Sequence, residues 1–255
     1  MPADAFWSLT PGITLAGAPC RRTGANLDTL LLAALVAPQP GQRLVELGTG
    51  CGGVALIVAR RSSGVWIDAL EVQPRLADLA RANLRRNGLE DRMRVLTGDL
   101  RQPPDPLAAG GYHHLFFNPP FHAPGRGRLP PDPLRAAARF ELHGALEQFI
   151  AQGAELLVPG GVCHLIHRPE RLAAIKDGCG AAGLGLLRVY RVRRRPGEPV
   201  LRILVQARRG GNGSRALYDD LVLATAADLP TPPAARMAAG QPFSNIPRSA
   251  PAPDA

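Results

Sequence analysis

From residue 43 onward, short apolar runs alternate with longer stretches whose apolar residues recur at helical spacing. Leu44–Leu47, Val65–Leu70, Arg94–Leu96, Tyr112–Phe117, Val162–His167, Leu184–Val192 and Val200–Ala207 read as strands. Between them, Gly53–Arg61, Pro74–Asn87, a long segment from Ala136 to Leu157, and Arg168–Ala182 read as helices. The second helix is the clearest: Pro74 opens it, Leu76, Leu79, Ala80 and Leu84 share one side, and Gly88 stops it. The third has Leu142, Leu146, Phe149, Ile150, Leu156 and Leu157 on its inner face; Gly178 and Gly180 weaken the fourth. Upstream, Ile13–Ala16 suggests a short strand, and NLDTLLLAALVAP predicts a helix capped by Asn26 or Asp28 and ended before Pro38. Gln102–Gly111 and Ala123–Pro133 have no periodicity and are dense in proline and glycine, as loops are.

Strands separated by helices imply an α/β protein, a Rossmann-like, mostly parallel seven-stranded sheet with helices on both faces. In such a sheet ligands gather beyond the carboxyl ends of the strands, where strand order reverses. The polar and glycine features fall there: Gly48 and Gly50 after the first strand, Glu71 after the second, Asp99 after the third, Asn118 after the fourth. The organisation expected is a lid and helix over 1–40, the sheet domain over 41–210, a peripheral segment over 211–228, and a disordered tail over 229–255, rich in proline and alanine.

Composition changes this picture little. The chain has 255 residues, a formal charge of +9 and a pI near 10.5, which suits a polyanionic partner. Lys176 is the only lysine, so part of the arginine excess reflects general codon preference rather than a surface. Cys20, Cys51, Cys163 and Cys179 show no zinc or disulfide spacing, adjacent His113 and His114 are poorly placed to chelate, and no metal is expected. No signal peptide or membrane-length apolar run is present, and a soluble, cytoplasmic protein is expected.

The stretch that organises the chain is LVELGTGCGG, residues 44–53: a strand, a glycine turn and a helix start. Gly48, Gly50 and Gly53 fit G-x-G-x-x-G, and Glu71 follows about twenty residues later, as in dinucleotide sites where the carboxylate takes the ribose hydroxyls. S-adenosylmethionine (SAM) carries the same adenosine without a pyrophosphate. Glu46, at the mouth of the turn, suits its ammonium and sulfonium and would repel a pyrophosphate. Thr49 lies inside the turn and joins this set. Asp99 can accept from an adenine amino group or simply stabilise a turn. Asp28 either caps its helix or sits in a lid over the cofactor.

ELGTGCGG, EVQPRLADLARANLRRNGL, GDL and FFNPPF, in that order over about residues 20–210, resemble the class I SAM-dependent methyltransferases of the small-domain type. Asn-Pro-Pro followed by an aromatic residue marks members that methylate an amide-like or exocyclic nitrogen. HRPERL at 167–172 and VLRILVQARRG are similar to the bacterial tRNA adenine exocyclic-amino methyltransferases acting next to the anticodon. The resemblance implies SAM as cofactor, held by Asp28, Glu46, Gly48, Thr49, Gly50, Glu71, Asp99 and Asn118. It implies an acceptor site of Asn118, Pro119, Pro120 and Phe121. The Asn118 side-chain oxygen and the Pro119 carbonyl would each accept an N–H of the amine and aim its lone pair at the methyl group. The prolines stiffen the loop, and Phe121 would stack on the base.

Other acceptors fit the same residues. Asn-Pro-Pro-Phe-His, with His122, also occurs in methyltransferases of the guanine exocyclic amine of ribosomal RNA, which usually carry a duplicated domain in front. Release-factor glutamine methyltransferases usually have tyrosine in place of Phe121 and a preceding helical domain. Neither domain is expected in the roughly forty residues before the first sheet strand. A non-catalytic nucleic-acid module and an NAD-dependent oxidoreductase complete the field; no hydride-transfer site is evident for the latter. The RNA-facing surface is expected around Arg188, Arg191, Arg193–Arg195, Arg202, Arg208 and Arg209, with Arg126, Arg128, Arg135 and Arg139 by the acceptor loop.

Overall fold

A computed structural model describes residues 6–16, 26–107, 109–119, 121, 145–211 and 216–243. A two-stranded antiparallel hairpin, β1 (Phe6–Thr10) and β2 (Ile13–Ala16), precedes helix α1 (Leu27–Leu35). Then come β3 (Arg43–Leu47), α2 (Gly53–Arg61), β4 (Trp66–Glu71), α3 (Pro74–Arg86), β5 (Met93–Thr97) and β6 (Tyr112–Phe117). The second half contains α4 (Leu146–Leu156), β7 (Leu157–His167), α5 (Leu172–Ala181), β8 (Leu184–Arg193), β9 (Arg202–Arg209), β10 (Leu217–Val222) and α6 (Pro232–Ala238).

Eight strands form one sheet in the order β10-β8-β9-β7-β6-β3-β4-β5. The run β7-β6-β3-β4-β5 is parallel, β9 is antiparallel to both its neighbours, and β10 runs parallel to β8. The chain leaves β3 toward β4 and returns to its other side at β6, so strand order reverses between β3 and β6. The mostly parallel α/β sheet is as expected, but it has eight strands rather than seven. The eighth, β10, lies within the segment expected to be peripheral. Its Asp219 and Asp220 hide the strand pattern locally, and pairing discharges them: Asp219 meets Arg188 at 3.3 Å, and Asp220 meets Arg191 at 3.1 Å and Arg193 at 3.3 Å across β8.

Two cores sandwich the sheet. On one face Leu44, Ile67 and Ala69 pack with α1, α2 and α3; on the other Val45, Leu47, Leu115 and Leu165 pack with α4 and α5. Gly153 lets α4 lie close on β6, because a Cβ there would come within 2.5 Å of a Leu115 methyl. Of the predicted helix 136–157, α4 covers its last part, and residues 136–144 lie outside the described residues. β7 begins at Leu157 rather than Val162. It takes in Pro159-Gly160-Gly161 as an irregularity in its register with β6.

Two further features contradict local reading. Asn26, not Asp28, caps α1: its side chain accepts the Asp28 N–H at 3.0 Å. Residues 229–243, read as the start of a disordered tail, include α6. Thr231 caps that helix, Ala234 and Met237 are buried, and the Phe243 N–H donates to the Ala34 carbonyl at 2.9 Å. The stretch is too poor in apolar residues to announce itself. It is held from outside, partly by Arg61, which donates to the carbonyls of Ala33, Val36 and Gly240.

Candidate functional site: a glycine turn and a proline loop at the strand-order reversal

The first half of the site is the turn after β3. Gly48, Gly50 and Gly52 all take positive φ, 69°, 59° and 89°, which an L side chain rarely adopts. The N–H groups of Gly48 and Thr49 donate to the Leu70 carbonyl at 2.8 and 3.0 Å, tying the turn to β4. Gly50 donates to Glu71 Oε2 at 2.7 Å, and Gln73 N–H to Glu71 Oε1 at 3.0 Å. Glu71 is buried; burial raises its pKa, against the pull of the N–H groups of Gln73, Gly50 and Val72. Asn83 of α3 locks the far side of the turn, donating to the Cys51 carbonyl at 3.0 Å and accepting the Ala16 N–H at 2.7 Å. Asn87, one turn on, accepts from Thr14 N–H and donates to its carbonyl. This asparagine pair docks the N-terminal hairpin on the turn.

Glu46 is buried beneath it. Its Oε2 accepts the Thr49 hydroxyl at 2.6 Å, and the Ala55 N–H of α2 also points at it. Burial nevertheless pushes its pKa up to about 8, with the neighbouring Glu71 adding to the rise. A buried carboxyl that is mostly protonated at neutral pH fits a cationic ligand that would restore its charge. A Cβ on Gly50 would have nothing within 4 Å, so the turn faces open space there. Both observations fit SAM, whose methionyl part is cationic.

The second half is the loop after β6. Phe117 pairs with Leu165, so the chain leaves β6 at Asn118 while β7 continues for two residues to His167. Asn118 is half-buried and Pro119 buried; Pro120 and His122 lie outside the described residues. The Phe121 ring meets His167 edge-on at 5.0 Å between centroids, with the guanidinium of Arg202 at 5.1 Å and that of Arg168 at 5.8 Å. Arg202 is held by Asp28, at 2.9 and 3.2 Å. Asp28 is therefore engaged by Arg202 and touches the acceptor loop through it. Asp99, after β5, is bound by Arg101, whose backbone N–H reaches it at 2.8 Å and guanidinium at 3.0 Å. Phe149 of α4, assigned from the sequence only to a helix face, stands between the halves: 3.5 Å from where a Gly48 Cβ would be, and 5.5 Å from the Phe117 ring.

The arginines expected to form a free RNA surface are mostly paired. Besides Arg188, Arg191 and Arg193, Arg195 meets Asp228 at 2.7 Å and Arg209 meets Glu155 at 3.7 Å. Arg126, Arg128, Arg135 and Arg139 lie outside the described residues. Cys51, Cys163 and Cys179 are buried free thiols. Among the described residues no group could hold a metal, and no helix is long and apolar enough to cross a membrane.

A glycine turn over a buried glutamate, set across the strand-order reversal from Asn-Pro-Pro-Phe, defines a class I SAM-dependent methyltransferase. Residues 22–173 match the methyltransferase small domain family, and the chain belongs to it. A Porphyromonas gingivalis relative named tRNA1(Val) (adenine(37)-N6)-methyltransferase is 30% identical over 219 residues, 82% of each chain. A protein of the same name from Tolumonas auensis is 30% identical over 71% of this chain and 75% of its own. Among solved structures, one titled a predicted O-methyltransferase from Agrobacterium tumefaciens superposes with a TM-score of 0.71. It is 26% identical and covers 86% of this chain and 98% of that one. The chain is a SAM-dependent N-methyltransferase.

Proposed function

We propose that the protein transfers the methyl group of SAM to the exocyclic amine (N6) of adenine in tRNA, at the position next to the anticodon. The observation that carries this reading is Asn118-Pro119 directly after β6, with Phe121 held among His167, Arg168 and Arg202, at the same strand-order reversal as Glu46 and the glycine turn. The names of the relatives support the acceptor and its position.

SAM, when bound, supplies a sulfonium-activated methyl group. The rest falls to the chain. Glu46 and Thr49 hold the cationic methionyl end, the left-handed turn at Gly48 and Gly50 lets the ligand approach the backbone, and Glu71 takes the ribose. Asp99 would accept from the amino group of the cofactor's adenine; its pair with Arg101 is solvent-exposed and so holds it only weakly. The adenine amine is a poor nucleophile because its lone pair is delocalised into the ring. Asn118 Oδ1 and the Pro119 carbonyl accept its two N–H groups, favour a pyramidal nitrogen and aim the lone pair at the methyl carbon. No strong base is required, since the methylated nitrogen loses its proton readily. Pro120 stiffens the loop, and Phe121 stacks on the base. Asp28 acts through Arg202, which it holds over Phe121. A base drawn from a loop costs less to flip than one from a helix.

The test is methyl transfer from radiolabelled SAM to total tRNA, total rRNA and release factor, for wild type and Asn118→Ala, followed by nucleoside analysis. Label recovered as N6-methyladenosine in tRNA and lost in the variant is the expected result. Methylguanosine in rRNA, or methylglutamine in release factor, would keep the fold and cofactor and replace the acceptor.

A further inference from the structure

His167 ends β7 with its ring fully buried. Its Nδ1 accepts the Arg168 backbone N–H at 2.8 Å. A backbone N–H can only donate, so Nδ1 carries a lone pair and the neutral ring carries its proton on Nε2. Nε2 is buried and has no hydrogen-bond partner among the described residues. Such a donor costs about 1–3 kcal/mol when left unmade, so native proteins rarely keep one without a use. This one sits on the ring that packs against Phe121, the aromatic residue of the Asn-Pro-Pro-Phe loop.

From this geometry we propose that the Nε2–H of His167 donates to a ring nitrogen flanking the target amine, N1 or N7 of adenine, and so helps select the base. The proposal rests on the adenine reading above. It makes the acceptor site complementary in sign: two acceptors for the amine's N–H groups and one donor for the neighbouring lone pair. On its Watson–Crick side, guanine places N1–H beside its exocyclic amine, so that edge would set donor against donor. Burial, together with the positive charges of Arg171, Arg168 and Arg202, lowers the His167 pKa to about 4, so the ring is neutral and its tautomer constant at neutral pH.

The experiment uses synthetic anticodon stem-loops of tRNA1(Val) with adenine, 1-deazaadenine or 7-deazaadenine at position 37. Each deaza base keeps the amine and removes one candidate acceptor. Relative kcat/KM is measured for wild type and His167→Phe, with thermal melting and SAM affinity recorded for both. Differences in intrinsic amine reactivity cancel in the double-mutant cycle. Wild type should favour adenine over one of the two analogues by about tenfold beyond the ratio shown by His167→Phe, as expected for one neutral hydrogen bond. An equal loss on all three substrates would mean that His167 is structural and would overturn the proposal. So would a wild-type enzyme that does not discriminate among the bases, a result that needs no variant. Should His167→Phe fail to fold, His167→Gln, which keeps an N–H donor, must retain the wild-type preference. Absence of adenine methylation in any loop, with methyl transfer to another acceptor, would instead remove the adenine reading and the proposal with it.

Discussion

Asp68 and Glu46 are both buried carboxyls on neighbouring strands of one sheet, and they titrate in opposite directions. Asp68, fully buried toward the amino-terminal side of β4, accepts from Trp66 Nε1 at 2.9 Å, Tyr112 Oη at 2.6 Å, Arg43 at 3.2 Å and Arg94 at 2.5 Å. Burial alone would raise its pKa; the hydrogen bonds from Arg94, Tyr112 and Trp66 outweigh burial and lower it. Glu46, at the carboxyl end of β3, has too few partners to offset burial, and its pKa rises to about 8. Among the described residues, Asp68 on the amino-terminal side of the sheet is fully engaged, and the carboxyl-terminal mouth leaves His167 Nε2 without a hydrogen-bond partner. Asp68 holds the sheet together; Glu46 is short of partners, and among the described residues the His167 Nε2 has none.

The same contrast holds for the histidines. Gln206 Nε2 lies 3.3 Å from His164 Nδ1, His164 Nε2 2.9 Å from His114 Nδ1, and His114 Nε2 2.9 Å from Gln42 Oε1. With the amide donating at one end, each ring has one donor and one acceptor, and the chain is complete across the sheet. His167, at the mouth, has its acceptor filled, and among the described residues its donor has no partner.

If this contrast is correct, changes at the mouth should cost activity without stability, and changes at the satisfied side the reverse. The largest effect is expected from Asn118→Ala: kcat should fall by about 10²–10³-fold, the range for removing one preorganised transition-state contact, with melting temperature unchanged. Asp68→Ala strips partners from Tyr112 and Trp66 and should lower unfolding free energy by about 2–4 kcal/mol, measured by urea denaturation, while kcat per folded molecule stays at the wild-type value.

Glu46→Gln sharpens the contrast most. SAM affinity by calorimetry should fall about 10–100-fold with loss of one charge-assisted contact. Stability should move the other way. The folded pKa of Glu46, about 8, lies above its ordinary 4.5, so its contribution is complete below pH 4.5 and is lost as pH rises through 8. The glutamine variant should therefore be more stable than wild type at pH 8, on the order of 4 kcal/mol. By the same linkage, wild-type SAM affinity should rise with pH between 6 and 8, and binding at pH 7 should release a proton, visible as a buffer-dependent enthalpy.

The smallest effect concerns the histidine chain. Burial, with His113 adding, lowers the His114 pKa to about 4, and His164 is lowered in the same direction. The unfolded chain binds these protons first, so their contribution is intact above pH 6.5 and declines as pH falls toward 4. Replacing His114 by Asn should flatten the acid side of the stability profile by about 1 kcal/mol at pH 5.5, without changing relative activity there.

Both halves of the site are visible in the chain because each is local. ELGTGCGG must be a strand, a left-handed turn and a helix start, and Asn-Pro-Pro-Phe directly after an apolar run must be a stiff loop at a strand end. Periodicity placed β3, α2, α3 and β6 to within a residue, since their apolar spacing agrees with their burial. That alternation of strand and helix also sufficed for the mostly parallel sheet. What only the tertiary structure decided rests on contacts between residues far apart in the chain. Asp28 reaches Arg202, and Arg202 reaches Phe121. Asn83 ties the glycine turn to the hairpin, and Asp219 and Asp220 become a strand only against the arginines of β8. Residues 232–238 become a helix only against α1 and β10. That the His167 donor lacks a partner among the described residues has no local signature, because whether a buried N–H is satisfied depends on what every other element brings to it.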